Sequence, residues 1–282
     1  MGKNKFYWTV CLVLSVFAAP SSHAVSNTSV ESNLQFKTTD LGDITTHIKE
    51  SASLMTDWIS EINQTDYKLL CLGETHNDEY RHFYGEVIQE LDFYSLALET
   101  NDEAFSQLMS DWEQEKPLYL LNATFDPIAE ALKTKQPPAV LHPVEVTQEQ
   151  KKFSLDQQLE TGKREHSRDG FIASNIVSKH TEGQKMVALY GSHHCSLNNQ
   201  GVGTTPYANH LKKHWGTDKV ITVKVLFRDS ISTDPLLSFV DSISEFRRKT
   251  VVVSSQKLKP EMHNYNWKIM KLTENYDFIV FK

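Results

Sequence analysis

The chain has only three cysteines in 282 residues, so a disulfide scaffold cannot carry its fold and a hydrophobic core must. Positive charge is also in short supply: 29 Lys and Arg stand against 36 Asp and Glu, a net charge of -7. That deficit argues against non-specific nucleic-acid binding, which needs cations to neutralise phosphate, and against polybasic docking on a membrane surface. Beyond the first two dozen residues there is no apolar run long enough to span a bilayer. No C-x-x-C-H occurs, which excludes covalent c-type haem by that signature. Repeats, low-complexity tracts and a clear linker are missing as well. What remains, 39% hydrophobic and 23% charged, is a globular composition rather than a disordered or collagen-like one.

The N-terminus reads as a secretory signal peptide. Lys3 and Lys5 form a basic start, residues 6–19 are an apolar run, and Ser22-His23-Ala24 supplies small residues at a cleavage site. Cys11 lies inside the apolar run, so a lipid-modified N-terminal cysteine is not expected. Cleavage near Ala24 would export the chain to a periplasmic or secreted location. It would take 282 residues to 258, the basic count from 29 to 27 and the net charge from -7 to -9. Residues 25–282 then read as a single α/β domain.

Hydrophobic periodicity gives the order of elements. Residues 41–62 carry Ile44, Ile48, Met55, Trp58, Ile59 and Ile62 near helical spacing. Residues 67–72 (YKLLCL) and 93–98 (FYSLAL) are buried-strand runs on either side of a helical pattern at 77–91. Strand, helix, strand is the unit of a parallel sheet. Further on, residues 101–135 look mostly helical, with breaks near Pro117 and Asp126-Pro127, and residues 139–146 suggest a third strand. A polar helical stretch at 147–181 follows. Residues 186–190 (MVALY) form a strand, 196–206 a loop, 207–215 a helix and 220–227 (VITVKVLF) a strand, with short strands at 251–253 and 278–281. The expected fold is a mainly parallel sheet flanked by helices.

The chemistry concentrates at strand ends. LLCLGETHND ends a strand in Gly73-Glu74-Thr75-His76, and MVALYGSHHC ends one in Gly191-Ser192-His193-His194. Glu99 closes the strand FYSLALE. In parallel α/β sheets, ligands sit beyond the carboxyl ends of the strands, so His76, His194, Glu74 and Glu99 are candidates for one crevice. A Glu after six mostly apolar residues needs a partner. Arg168, or a metal ion, would supply one. The matching G-x-x-H spacing favours His194 over His193. A lone G-x-x-H is a weak signal, and Glu99 by itself fits a helix N-terminus equally well; three such features on three strand ends make the case.

These blocks resemble a superfamily that unites erythromycin esterase-like hydrolases, ChaN-like haem-binding proteins and TIKI metalloproteases. LGETHNDEYRHF is similar to its first G-E-x-H block, LALET to its second-strand Glu, RDGFIASNI to its R-D helix, and ALYGSHH to its second G-x-x-H. FDPIAEAL and the chain length look closest to the ChaN-like branch, although the lipobox of those lipoproteins is absent. The resemblance implies that Glu74, His76, Glu99, Arg168 and His194 line one cleft.

Two hydrolytic versions fit such a set, acting on a small-molecule or peptide substrate. Without metal, His76 takes a proton from water, Glu74 or Glu99 orients the imidazole, and Arg168 holds an anion. With metal, His76 and His194 join Glu74 or Glu99 around a divalent ion such as Zn, Mn or Co. The alternative is a haem- or iron-binding protein without catalysis, with a Tyr or His as axial ligand; ten Tyr and twelve His leave that ligand unassigned. Cys71 and Cys195, the two cysteines beyond the leader, become either a bridge across the crevice or two buried thiols.

Overall fold

The computed structural model describes residues 38–161, 167–198, 205–231, 234–262 and 267–282. The expected leader, residues 162–166 of the expected polar helical stretch and residues 199–204 of the expected loop lie outside the described residues.

In chain order, α1 (Thr38–Ser51), β1 (Ala52–Leu54) and α2 (Met55–Gln64) precede β2 (Leu69–Glu74), α3 (Asp78–Glu90) and β3 (Ser95–Leu98). Then come α4 (Asp102–Glu113), β4 (Tyr119–Leu120), β5 (Ala123–Thr124), α5 (Asp126–Lys133), β6 (Val140–Pro143), α6 (Gln148–Thr161) and α7 (Arg168–Lys179). The second half holds β7 (Met186–Gly191), α8 (Tyr207–Trp215), β8 (Val220–Leu226), α9 (Pro235–Ser242), β9 (Val251–Ser254), α10 (Ser255–Met262), α11 (Trp267–Asn275) and β10 (Phe278–Phe281). Eight strands form one sheet in the order β1-β9-β10-β8-β2-β7-β3-β6. All neighbours from β10 to β6 pair in parallel, and β9 is antiparallel to β1 and β10.

The unbroken apolar runs have a simple cause: the central strands are covered on both faces. Leu70, Leu72, Leu96, Leu98, Val187 and Leu189 join Phe83, Tyr84, Val87 and Ile88 of α3 in one core. Their alternates Leu69, Cys71, Ala97, Met186, Ala188 and Tyr190 join Ile172 and Ile176 of α7 and Tyr207 and Leu211 of α8 in another. A third core gathers Ile48, Leu236, Val240, Leu258 and Ile269 on Val251, Val253, Ile279 and Phe281.

This division of helices positions the crevice. The connection leaving β2 crosses one face through α3, while the connection leaving β7 crosses the other through α8. β2 and β7 are adjacent, with Glu74 in register with Gly191. Adjacent parallel strands whose connections depart to opposite faces leave a gap beyond their carboxyl ends, the switch point at which such sheets bind ligands. Among the described residues, no helix is long and apolar enough to cross a membrane.

Local details depart from the periodicity. The expected helix over 41–62 is interrupted by β1, because Ala52–Leu54 pairs with Val253–Val251 almost 200 residues later, a contact that local spacing does not carry. The stretch between α4 and α5 holds the β4–β5 hairpin, turned by Leu121 and Asn122 at φ 54° and 61°. α9, α10 and α11 fall in sequence that gave no periodic signal.

A charge-paired cleft at three strand ends

Each candidate side chain leaves a strand and meets a capped helix. His76 lies two residues past β2, directly before Asn77, whose side chain accepts from Glu79 N at 2.9 Å and caps α3. Glu99 follows β3, and Asn101 caps α4 through Ala104 N at 2.9 Å. Ser167 accepts from Gly170 N at 3.0 Å and caps α7, which fixes Arg168 and Asp169 in that helix's first turn. A strand end on one side and a cap on the other leave these residues little backbone freedom.

The structure brings together all five residues named from the sequence. His76 Nδ1 lies 2.9 Å from Glu74 Oε1, and its Nε2 lies 3.4 Å from Glu99 Oε2. Arg168 Nη2 donates to Glu99 Oε1 at 3.1 Å, and Arg168 Nη1 meets His194 Nε2 at 3.0 Å. Gly191 N donates to Glu99 Oε2 at 2.8 Å. A Cβ on Gly191 would stand 3.1 Å from Glu99 Oε2, 3.6 Å from His194 Cδ2 and 3.7 Å from His76 Nε2. A glycine is thus what lets the two histidines and the carboxylate converge. His193 is exposed and His194 half-buried, as the spacing suggested.

Four partners went unrecognised in the sequence. Arg81 is fully buried and donates from Nη2 to Glu74 Oε1 at 3.2 Å and to Leu120 O at 3.2 Å. Glu145 binds Arg168 Nε at 2.9 Å and Nη2 as well. Tyr190 donates to Glu145 Oε2 at 2.6 Å. Asp169 Oδ1 lies 2.6 Å from His194 Nδ1. Glu145 carries the same mark that singled out Glu99, a carboxylate after the mostly apolar run AVLHPV. Asp169 adjoins Arg168 in the block already noted. Tyr190 and Arg81 offered no signal, the first reading as core and the second as a solvated helix face.

The hydrogen bonds set the two histidines apart. Arginine can only donate, so His194 Nε2 accepts from Arg168 and the ring hydrogen sits on Nδ1, towards Asp169. Both nitrogens of His76 face carboxylates. Glu74 and then Glu99 hold its proton against the opposing effect of burial, raising its pKa to about 9. Burial pushes Glu99 up, but His76, the Gly191 N–H and Arg168 outweigh it and leave the carboxyl below its usual range. For Glu145 burial is likewise outweighed, by Arg168, Tyr190 and the Val146 N–H, taking it to about 2. Burial and the charges of Glu145 and Glu99 push the Tyr190 hydroxyl far up, so it remains a donor.

Beside Glu99 and Arg168 opens a cavity of about 540 Å³, with mainly apolar walls that include Ala104, Tyr119, Leu120, Leu121, Val146 and Phe171. The hairpin β4–β5 supplies one wall, and Leu121 is held there in a left-handed conformation that a Cβ disfavours. Such a combination of apolar walls and a few fixed polar groups suits a small organic ligand.

As arranged, the donors do not make a divalent-metal centre. Among the described residues, no three His, Cys, Asp or Glu side chains gather as a metal cluster. Glu74 and Glu99 sit on opposite nitrogens of the His76 ring rather than around a shared centre, and His194 Nε2 accepts from a guanidinium, whose charge repels a cation. Cys71 and Cys195 form a disulfide, with Cα atoms 5.6 Å apart, tying β2 to the turn that carries His194. Comparison with protein-family models, curated proteins and solved structures gave no match for this chain.

Proposed function

We propose that the cleft is a hydrolytic site in which His76 activates water against an ester or amide carbonyl, without a resident metal. One observation carries this reading: an imidazole is flanked by two carboxylates, one of which, Glu99, lines an apolar cavity together with Arg168. In its neutral form, His76 accepts a proton from water at Nε2. Glu74, on Nδ1, then stabilises the imidazolium that results. Glu99 is fixed by Arg168 and the Gly191 N–H and steadies the water's side of the ring. Arg168, tethered by Glu145, offers its remaining donor capacity to the developing oxyanion or to an anionic group of the substrate. The neighbouring cavity would take the substrate's apolar portion.

The resemblance to the erythromycin esterase-like, ChaN-like and TIKI superfamily supports the same reading. The disulfide agrees with export, since such bridges persist in oxidising compartments.

His76→Ala, assayed on ester and peptide panels, is expected to lower turnover by about 10²–10⁴-fold while still unfolding in one cooperative melt. Chelators are expected to leave wild-type turnover intact. Undiminished turnover in the variant overturns the assignment of His76. A Soret shift on adding hemin, with no hydrolysis of any panel member, would replace the hydrolase by the haem-binding alternative.

A further inference from the structure

One half-buried lysine has no place in the His76 chemistry. Lys224 lies on β8 in register with Gly73 of β2, on the sheet face covered by α7 and α8. Its Nζ donates to Ser192 Oγ at 2.5 Å. It makes no ion pair among the described residues. Asp277, directly before β10, is engaged by Lys212 at 2.8 Å and by Thr222 at 2.9 Å. A Cβ on Gly73 would stand 3.0 Å from both Cα and Cβ of Ser192. A missing side chain on β2 is therefore what lets the β7 turn cross over and reach the lysine.

The turn itself is fixed from several sides. Ser192 N donates to Glu74 O at 3.1 Å, Tyr276 OH donates to Ser192 O at 2.9 Å, and His194 N closes the turn on Gly191 O at 2.9 Å. The Tyr276 ring lies 5.9 Å from Lys224 Nζ. Next to the serine, His193 N has no hydrogen-bond partner among the described residues. The amide that follows a strand-end nucleophile is the usual donor to an oxyanion.

We propose that Ser192 is a nucleophile for acyl transfer, with Lys224 as its general base. A hydroxyl within hydrogen-bond reach of an amine that lacks a counter-anion is the signature of such a pair. Burial alone draws the Lys224 pKa down to about 8, so a neutral amine is within reach near physiological pH. Ser192 Oγ would bond to the carbonyl carbon of an ester while its proton passes to Lys224 Nζ. The C–O bond to the leaving alkoxide then breaks, and the alkoxide takes that proton. Water finally cleaves the acyl-serine and restores the hydroxyl. The proposal does not depend on His76, because the first half-reaction consumes no water.

The test uses the full chain and a small alkyl fluorophosphonate, which loses fluoride on reaction with an activated serine. Peptide mass spectrometry is expected to place one phosphonyl group on Ser192 and none on that peptide in Ser192→Ala. Lys224→Met removes the base, and Lys224→Arg keeps a cation and a donor but cannot act as one. Labelling in either folded variant is expected to be at least tenfold slower, with folding checked by a cooperative melt. A purely structural bond would leave Lys224→Arg labelling like the wild type. No adduct on Ser192 of the wild type, or a loss of less than tenfold in a folded Lys224 variant, overturns the proposal. If neither variant folds, the adduct on wild-type Ser192 decides it.

Discussion

His76 Nδ1 and Arg81 Nη2 meet the same oxygen of Glu74, at 2.9 and 3.2 Å. A single buried carboxylate thus couples the exposed end of the cleft to a fully buried arginine beneath it. The other Glu74 oxygen, and Arg81 Nε and Nη1, are buried without a hydrogen-bond partner among the described residues. The pair is therefore held by one contact rather than by a closed network.

The first consequence is an alkaline profile. A base must be neutral to accept a proton, and Glu74 and Glu99 hold His76 protonated up to about pH 9. The rate kcat/KM is expected to rise towards pH 9 and level off above it. Glu74→Gln removes the largest stabiliser of the imidazolium, so its rising limb is expected to move to lower pH. A limb that stays in place would separate His76 from the chemistry. The same proton is linked to stability. Its contribution is complete below the ordinary histidine pKa of about 6.5 and is lost as pH rises through about 9. The gap in melting temperature between wild type and His76→Ala is expected to shrink across that window.

Removal of Arg81 leaves Glu74 with His76 as its remaining cation. Breaking a buried pair from one side costs about 3–5 kcal/mol. Arg81→Met is thus expected to lower the melting temperature by roughly 6–20 °C in a domain of this size. The double variant with Glu74→Gln is expected to recover part of that loss, which a double-mutant cycle measures. Additive losses would show that the two side chains do not interact.

The bridge between Cys71 and Cys195 closes a loop across 124 residues of sequence. A cross-link over such a span contributes about 2–5 kcal/mol. Non-reducing peptide mapping is expected to recover the two cysteines in one linked peptide. Cys195→Ser is expected to lower the melting temperature and, by loosening the turn behind His194, to reduce turnover. Two freely alkylated thiols in the folded protein would refute the bridge.

Much of the site was legible because strand ends announce themselves. Apolar runs that stop at Gly73 and Gly191, followed by polar residues at equal spacing, locate Glu74, His76 and His194, and the awkward position of Glu99 asks for a cation. Arg168 answers it at 3.1 Å. Glu145 escaped although it stands in an equivalent position, because an arginine already assigned to Glu99 raised no demand for a second carboxylate. Arg81 escaped because a charged residue in an amphipathic helix reads as solvated, and only the approach of Leu120 and Glu74 buries it.

The sequence by itself determined the class of the fold, since hydrophobic runs and helical spacing reflect local burial and survive in one dimension. It determined which strand ends carry ionisable side chains for the same reason. The tertiary structure alone decided how those ends combine. Strand order places β7 beside β2, so Gly191 arrives against His76 and Cys195 against Cys71. It also decided the protonation pattern, because a histidine's state depends on what faces each nitrogen. Carboxylates face both nitrogens of His76, whereas a guanidinium and a carboxylate face those of His194. Pairings between residues separated by some 20 to 120 positions leave no periodic trace, and it is these that turn a set of polar strand ends into a cleft.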